Sequence, residues 1–217
     1  IGWRSEIENV TAEALKNFSE LIHENRQCVS FGIATGRRID SALAIIKKHS
    51  IPRPDILISS LGTRIHYGPQ LTEDDFWEDH IDHEWAPRRI SKLLNNIPGL
   101  KRQPKSEQAP HKISYYYDDR KAPGQQEIID LLRQKEITAN VIISFGQFLD
   151  VIPSRASKGQ ALRYVAQLLD IPLEQTLVAG GSGADEDMMR DNPLAVVVEN
   201  RHHEELSQLD DLESIYF

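Results

Sequence analysis

The stretch Val178-Ala-Gly-Gly-Ser-Gly-Ala-Asp-Glu-Asp-Met-Met189 limits what this chain can fold into more than any other. An apolar segment, Thr176 to Ala179, reads as the end of a buried strand. Gly180, Gly181 and Gly183 then allow a turn that side chains would block. Asp185, Glu186 and Asp187 follow at the start of a helical run, where the positive end of a helix dipole favours carboxylates. Strand, glycine turn and helix in this order indicate an α/β sheet, and ligands of open α/β sheets bind at the carboxyl ends of strands. Carboxylates held there suit a hard cation such as magnesium. They also suit a plain helix start with acidic caps.

The rest of the chain supports the α/β reading. Apolar residues at Ile7, Val10, Ala14, Leu15, Phe18, Leu21 and Ile22 are spaced for a helix over 5–24. A strand is expected over Cys28–Ala34, a helix over Ile39–His49, and a strand over Asp55–Ser60. A short strand, Arg64–Tyr67, can form a hairpin with it. Pro87–Leu100 reads as a helix and 101–110 as a loop. His111–Tyr117 reads as a strand, Gln125–Lys135 as a helix, and Ala139–Phe145 and Phe148–Ile152 as two further strands. A long amphipathic helix, Ser157–Leu169, precedes the opening stretch. Leu194–Val198 reads as a strand and His202–Leu209 as a last helix, before the apolar tail Ile215-Tyr-Phe. The expected fold class is thus α/β, with a parallel-sheet core at 1–80 and 154–217 and an α+β insert at 81–153. Within 73–84, His80 and His83 stand three apart beside Asp79, Asp82 and Glu84, a spacing that can bind a transition metal. The apolar stripe of Trp77, Ile81 and Trp85 marks the same stretch as a surface helix.

The formal net charge of -8 argues against nucleic acid or an anionic membrane as a partner. Cys28 is the only cysteine, so neither an intramolecular disulfide nor a cysteine metal site is available, and a cytoplasmic location fits. No apolar run approaches a membrane span, and the start lacks the pattern of a signal peptide. It also lacks an initiator methionine, which suggests a domain of a longer protein.

Two further stretches add chemistry. Thr35, followed by Gly36, closes the first strand, where its hydroxyl and the turn's N–H groups can hold phosphate oxygens. It can equally cap the next helix. Lys158 falls in the first turn of a helix, against the dipole. A bound phosphate or carboxylate would hold it there, and a solvated lysine is the alternative.

Together, Ala34-Thr-Gly-Arg37, Lys158-Gly159 and Gly180-Gly-Ser-Gly-Ala-Asp185 resemble, in order and spacing, the second, third and fourth motifs of the haloacid dehalogenase-like (HAD) phosphatases. The insert between the second and third motifs is similar to a C2-type cap. Phe148–Leu162 and Leu61–Tyr67 resemble the sucrose-phosphate phosphatase type. Within that type, they resemble the phosphatase-like domain at the C-terminal end of bacterial sucrose-phosphate synthases. The resemblance implies a HAD-like Rossmannoid core with an inserted α+β C2-type cap. It implies phosphate held by Thr35 and Lys158, Mg2+ held partly by Asp185, and a sugar phosphate such as sucrose 6-phosphate as ligand. Thr63, Arg64, His111, Lys112 and Gln147 are candidates to touch the sugar. Tyr115 to Tyr117 can supply an aromatic platform or simply alternate in a strand. A glycosyltransferase domain is a possible partner.

The family's first motif, Asp-x-Asp, supplies the nucleophile and the general acid and base. The chain opens at Ile1-Gly2-Trp3, about where residues just after that motif are expected. The expectation is therefore that the motif lies ahead of Ile1, or that a partner segment completes the sheet. The fourth motif usually reads Gly-Asp-x-x-Asn-Asp, and here Gly181 and Ala184 replace its first Asp and its Asn. Two functions follow as expectations. One is hydrolysis of sucrose 6-phosphate to sucrose and phosphate. The other is a degenerate domain that binds the sugar phosphate, or docks on and regulates a glycosyltransferase.

Overall fold

The computed structural model describes residues 12–190, 193–198 and 215–216. Residues 5–11 of the expected first helix and the whole expected helix His202–Leu209 lie outside them. Three sheets form. In the first, β1 (Gly32–Ala34) pairs in parallel with β2 (Ile56–Ser59), and β2 runs antiparallel to β3 (Arg64–Tyr67), which pairs with β4 (Thr72–Glu73). In the second, β9 (Leu177–Gly180), β10 (Leu194–Val197) and β11 (Ile215–Tyr216) are parallel. The third is antiparallel, built from β5 (Leu100–Arg102), β6 (Ile113–Tyr117), β7 (Ala139–Ser144) and β8 (Phe148–Pro153) in the order β5-β6-β8-β7. Ala34 of β1 packs on the apolar clusters of both of the first two sheets. Among the described residues, β1 and β9 each lack a partner on one side.

The helices cover these sheets with the apolar faces that their spacing defines: α1 (Ala12–Glu24), α2 (Ile39–Lys48), α3 (Asp75–Asp82), α4 (Pro87–Leu94), α5 (Gln125–Arg133) and α6 (Lys158–Leu168). The stripe on α3 is core: Trp77 and Ile81 are buried with Ile58, Ile65 and Ile152. Asp74 caps that helix by accepting from Trp77 N at 2.9 Å. Ile90 and Leu94 of α4 and Ile128 and Leu132 of α5 pack with Tyr115, Leu149 and Val151 on one face of the third sheet. Tyr115 is fully buried while Tyr116 is exposed, so these tyrosines alternate as strand residues do. Tyr115 Oη satisfies itself on Asn95 Oδ1 at 3.0 Å.

Several boundaries differ from the expectation. The strand at Cys28–Ala34 shrinks to three residues, because Cys28 and Val29 belong to a turn closed onto Asn25 O. The helix from Pro87 stops at Leu94, and a strand forms inside the expected loop, where Leu100–Arg102 finds an edge against Tyr115–Tyr117. Pro98 and Gly99 favour an early end to the helix, while the strand depends on pairing with a distant segment. The run after Gly183 is a 3-10 helix, Gly183–Met189, rather than an α-helix.

After β2 the backbone takes three consecutive left-handed residues, Ser60 (φ 51°), Leu61 (φ 62°) and Gly62 (φ 90°). Such conformations cost non-glycine residues about 1–3 kcal/mol each. Here they fold the turn flat against the start of α6. A Cβ on Gly62 would lie 2.1 Å from Ser157 O and 2.7 Å from Lys158 N. Gly62→Ala is therefore expected to destabilise the protein by more than about 2 kcal/mol, read as a lowered urea midpoint. An unchanged midpoint would show that the two segments do not pack together.

Candidate active site

Four segments converge at the carboxyl ends of β1, β2 and β9: the turn 35–38, the left-handed turn 60–62, the start of α6, and the turn 181–187. Main-chain hydrogen bonds lock the first two. Leu61 N donates to Thr35 O at 3.0 Å, Ser60 N to Arg37 O at 2.7 Å, and Thr35 N to Ile58 O at 2.9 Å. Thr35 does not cap α2, whose cap position is Arg38. Its Oγ1 instead accepts from Arg37 N at 3.2 Å, which orients the hydroxyl within the turn.

Lys158 is the first residue of α6 and is buried, which removes the solvated alternative. Its ammonium donates to Asp185 Oδ1 at 2.7 Å. The other oxygen, Oδ2, accepts from Gly181 N at 3.1 Å, Ser182 N at 3.0 Å and Ser182 Oγ at 2.9 Å. Burial alone would push the Asp185 carboxyl up. The Lys158 charge and hydrogen bond, with the N–H groups of Gly181 and Ser182, outweigh it and hold the group below the usual carboxylate range. The glycine turn works by close approach rather than by left-handed geometry. None of Gly180, Gly181 and Gly183 has positive φ, but a Cβ on Gly180 would lie 2.6 Å from the Asp185 Cβ.

The neighbouring carboxylates are used structurally. Ser157 caps α6 by accepting from Gln160 N at 2.9 Å and donates to Asp187 Oδ2. Arg163 Nη2 meets Asp187 Oδ1 at 3.0 Å. Glu186 pairs with Arg190. The serine cap was visible in the sequence as Ser157 followed three residues later by Gln160, whereas its link to Asp187 had no local signal.

Magnesium takes an octahedron of oxygens, commonly with one or two carboxylates. At this site Gly181 and Ala184 offer none, Asp187 and Glu186 are paired elsewhere, and both oxygens of Asp185 already accept hydrogen bonds. Among the described residues no group of three His, Cys, Asp or Glu is arranged to hold a metal ion. The described residues do not by themselves fit the ion.

The residues singled out for sugar contact do not all come together. Thr63 is fully buried and donates to Ser60 O at 3.0 Å. Arg64 Nη1 pairs with Glu73, and with Glu78 Oε2 at 2.9 Å. His111 is buried, with Nε2 2.8 Å from Asp82 Oδ1 and Nδ1 3.6 Å from Glu78 Oε1, so Glu78 lies between Arg64 and His111. Lys112 turns away into the third sheet, donating to Ser114 Oγ at 2.9 Å with Asp150 Oδ1 at 3.4 Å. Gln147 is exposed in the β7–β8 turn. Thr35, Lys158 and Asp185 are thus brought to one edge and Arg64 and His111 to one cluster, while Lys112 and Gln147 join neither.

A family model for sucrose-6F-phosphate phosphohydrolase matches residues 6–217. Probable sucrose-phosphatase 2 of Arabidopsis thaliana is 33% identical over 178 residues, covering 80% of this chain and 42% of that protein. Mannosylfructose-phosphate phosphatase of Agrobacterium fabrum is 28% identical, covering 84% of this chain and 74% of that protein. The X-ray structure of the sucrose-phosphatase from Synechocystis sp. PCC6803, in complex with sucrose and phosphate, matches with a TM-score of 0.88 at 28% identity. That match covers 94% of this chain and 84% of the other. A haloacid dehalogenase-like hydrolase of Bacillus subtilis, at 19% identity and a TM-score of 0.61 over 95% of this chain and 81% of its own, shares the fold. The architecture is thus a HAD-like parallel-sheet core with a C2-type cap. The chain spans about two fifths of the length of the plant relatives it matches, 42% in each of the first two.

Removing one member of a buried pair leaves the other charge uncompensated. Lys158→Met should cost about 3 kcal/mol at neutral pH, and adding Asp185→Asn should recover a large part of it. Because the folded carboxyl is depressed, its contribution is complete above the ordinary carboxylate value and is lost as pH falls through the depressed one. Urea titrations at neutral and acid pH measure both effects. A loss in the double variant equal to the sum of the two single-variant losses would show that the pair is not coupled.

Proposed function

The chain belongs to the sucrose-6F-phosphate phosphohydrolase family, and from that premise we propose that it is a sugar-phosphate phosphatase domain whose ligand is sucrose 6-phosphate. One observation carries the reading: a buried lysine, Lys158, held at 2.7 Å by Asp185 beside the Thr35 turn, at the carboxyl edge of a parallel sheet. Burying an ammonium costs several kcal/mol unless it is paired, and a second anion placed against Lys158 and Thr35 shares the same charge. In this reading Lys158 neutralises a phosphate oxygen. The Thr35 hydroxyl positions a second oxygen, and the fixed turns 35–38 and 60–62 hold the group without reorganisation. The sugar extends along the seam lined by Arg64 and the loop before β6, with His111 steadying that seam through Glu78 and Asp82. Thr63 supports it from below.

Hydrolysis moves the phosphoryl group from the sugar oxygen to water, with an attacking carboxylate receiving it first. The carboxylates at this edge are committed to Lys158, Ser157, Arg163 and Arg190. The attacking group is therefore proposed to arrive on one further parallel strand between β1 and β9, carrying Asp-x-Asp. Phosphatases of this kind generally use Mg2+, and the same strand would have to supply the ion's missing carboxylates beside Asp185. The commitment of Asp185 favours a second reading for these residues acting alone: binding of the sugar phosphate without turnover, as in a domain that informs a glycosyltransferase of its product.

Calorimetry with sucrose 6-phosphate tests the pocket. Lys158→Met should weaken binding roughly thirtyfold, the worth of one charge-assisted hydrogen bond of about 2 kcal/mol. Asp185→Asn, which releases Lys158 from its internal partner, should hold or tighten binding in the presence of a chelator. Loss of binding in Asp185→Asn with magnesium present, matched by loss in the unsubstituted chain when the chelator is added, would instead mean that a cation at Asp185 holds the phosphate. Phosphate release from sucrose 6-phosphate, measured with magnesium on this chain and on one extended at its N-terminus by an Asp-x-Asp strand, separates the two readings. Turnover in the extended chain alone supports the added strand, and binding without turnover in both supports the non-hydrolytic domain.

A further inference from the structure

A cleft of about 210 Å³ opens between the β2–β3–β4 ribbon, the start of α2 and the loop before β6. Opposite residues of an antiparallel pair share a face. The register Leu57↔His66, Ser59↔Arg64 and His66↔Glu73 therefore puts Ser59, Arg64, His66 and Glu73 on one face, which forms the wall on the side of the core. Gln108, Ala109 and Pro110 of the loop form the facing wall. The side chain of Gln108 stitches this loop to β6. Its Nε2 donates to Gln103 O at 3.0 Å and Ser114 O at 2.9 Å, and its Oε1 accepts from Ser114 N at 3.0 Å. Ala109 and Lys112 exchange main-chain hydrogen bonds of 3.1 Å. With its polar groups bonded in this way, the loop moves with β6 rather than by itself.

Contacts of two kinds hold the loop to its surroundings. At its C-terminal end Pro110 O accepts from Trp85 Nε1 at 2.9 Å. Beside it the buried His111 ring meets Asp82 of α3 at 2.8 Å. At the tip of the loop, Gln108 O and Lys105 O accept from Arg38 Nη1 at 3.2 and 3.5 Å. Arg38 is the cap residue of α2 and ends the turn that Thr35 begins. Its side chain is 38% exposed, and Asp40 Oδ1, 3.4 Å from Nε, aims the guanidinium. A hydrogen bond that faces water is readily exchanged for one to water, whereas a buried polar contact is expensive to leave unmade. The loop thus has a fixed side at His111 and a releasable side at Arg38, and Arg38 joins the two walls of the cleft.

We infer that Arg38 is a latch: a positioning residue that, in the ligand-free chain, shuts the loop before β6 onto the turn that carries Thr35. Its release, with the loop and β6 turning about the contact of His111 with Asp82, lets the ligand reach the cradle. The inference rests on the reading that Thr35 and Lys158 hold the phosphate of a sugar phosphate. The shut cleft equals about seven waters at ~30 Å³ each, less room than a disaccharide phosphate needs to pass.

Two measurements on the whole chain test the latch. The first is amide hydrogen exchange over 103–112 without ligand. Arg38→Ala should raise it several-fold while exchange in α6 stays the same. The second is the association rate of sucrose 6-phosphate, followed by stopped-flow tryptophan emission, since Trp85 lies against the loop. Entry follows the fraction of open molecules, so losing one charge-assisted hydrogen bond in Arg38→Ala should speed association by roughly tenfold. Arg38→Lys, which keeps the charge and a donor, should stay near the unsubstituted rates. A damaged fold would slow association, so acceleration separates a latch from a merely structural role. Unchanged exchange in Arg38→Ala overturns the inference whether or not the ligand binds. Faster exchange with unchanged or slower association overturns it too and leaves the phosphate reading standing. If sucrose 6-phosphate binds to none of the three proteins, the phosphate reading falls and the inference falls with it.

Discussion

The ion pair between Lys158 and Asp185 joins segments 27 residues apart in the chain, and the geometry of the whole carboxyl edge follows from it. A lysine at the first position of a helix opposes the dipole, and a buried ammonium without a partner is expensive. Both penalties are met by bringing the turn after β9 against the start of α6. That approach places Asp187 on Ser157 and Arg163 and fixes the first turn of α6. The left-handed turn 60–62 then has a defined surface to lie on, with Gly62 against Ser157 and Lys158. Thr35 is held in turn by Leu61. A pair of this kind adds little net stability compared with apolar residues of the same volume, but it admits few alternative arrangements, which is what a preorganised anion site needs.

The same pair limits the chemistry. Asp185 cancels part of the field that would draw a phosphate to Lys158. At an effective dielectric of about 20, two unit charges 4 Å apart interact by about 4 kcal/mol, so an incoming dianion meets an attraction and a repulsion of similar size. The balance turns favourable when Asp185 is itself engaged by a cation or by added donors. Gly181 and Ser182 supply donors, but on Oδ2 and already in use. In the proposed reading, Asp185 therefore has to be engaged by a further group before this edge draws a phosphate strongly.

Much of this was legible in the sequence because it rests on short-range rules. The spacing of apolar residues located α2, α5 and α6, and the alternation of strands and a helix over 111–152 located three of the four strands of the third sheet. The glycine-rich turn and the misplaced lysine marked the edge where the site lies. Other features depend on contacts far apart in the chain. Asp187 has the same chemistry as Asp185 and lies two residues away, yet only folding decides that one meets Lys158 and the other caps a helix through Ser157. Thr63 and Lys112 look like surface donors until β3 and β6 pair and bury them. Ser59 and His66 carry no motif at all; their shared face exists only through the register of β2 with β3. The left-handed run at Ser60 and Leu61 has no residue that asks for positive φ, so tertiary packing imposes it.

The edges of β1 and β9 complete the physical picture. Parallel strands are normally buried on both sides by neighbours, and an unpaired parallel edge presents a row of N–H and C=O groups that invites another strand. Among the described residues β1 and β9 each present such an edge, one beside Thr35 and the other leading into the Asp185 turn. Ala34 and Leu162 pack on the apolar clusters of both sheets, so shared apolar contacts tie the two sheets together. A parallel strand entering there would end at the same carboxyl edge as β1 and β9. Its last residues would then lie between Thr35 and Lys158, the one position from which a carboxylate could both attack a phosphate held by those residues and relieve the charge imbalance at Asp185.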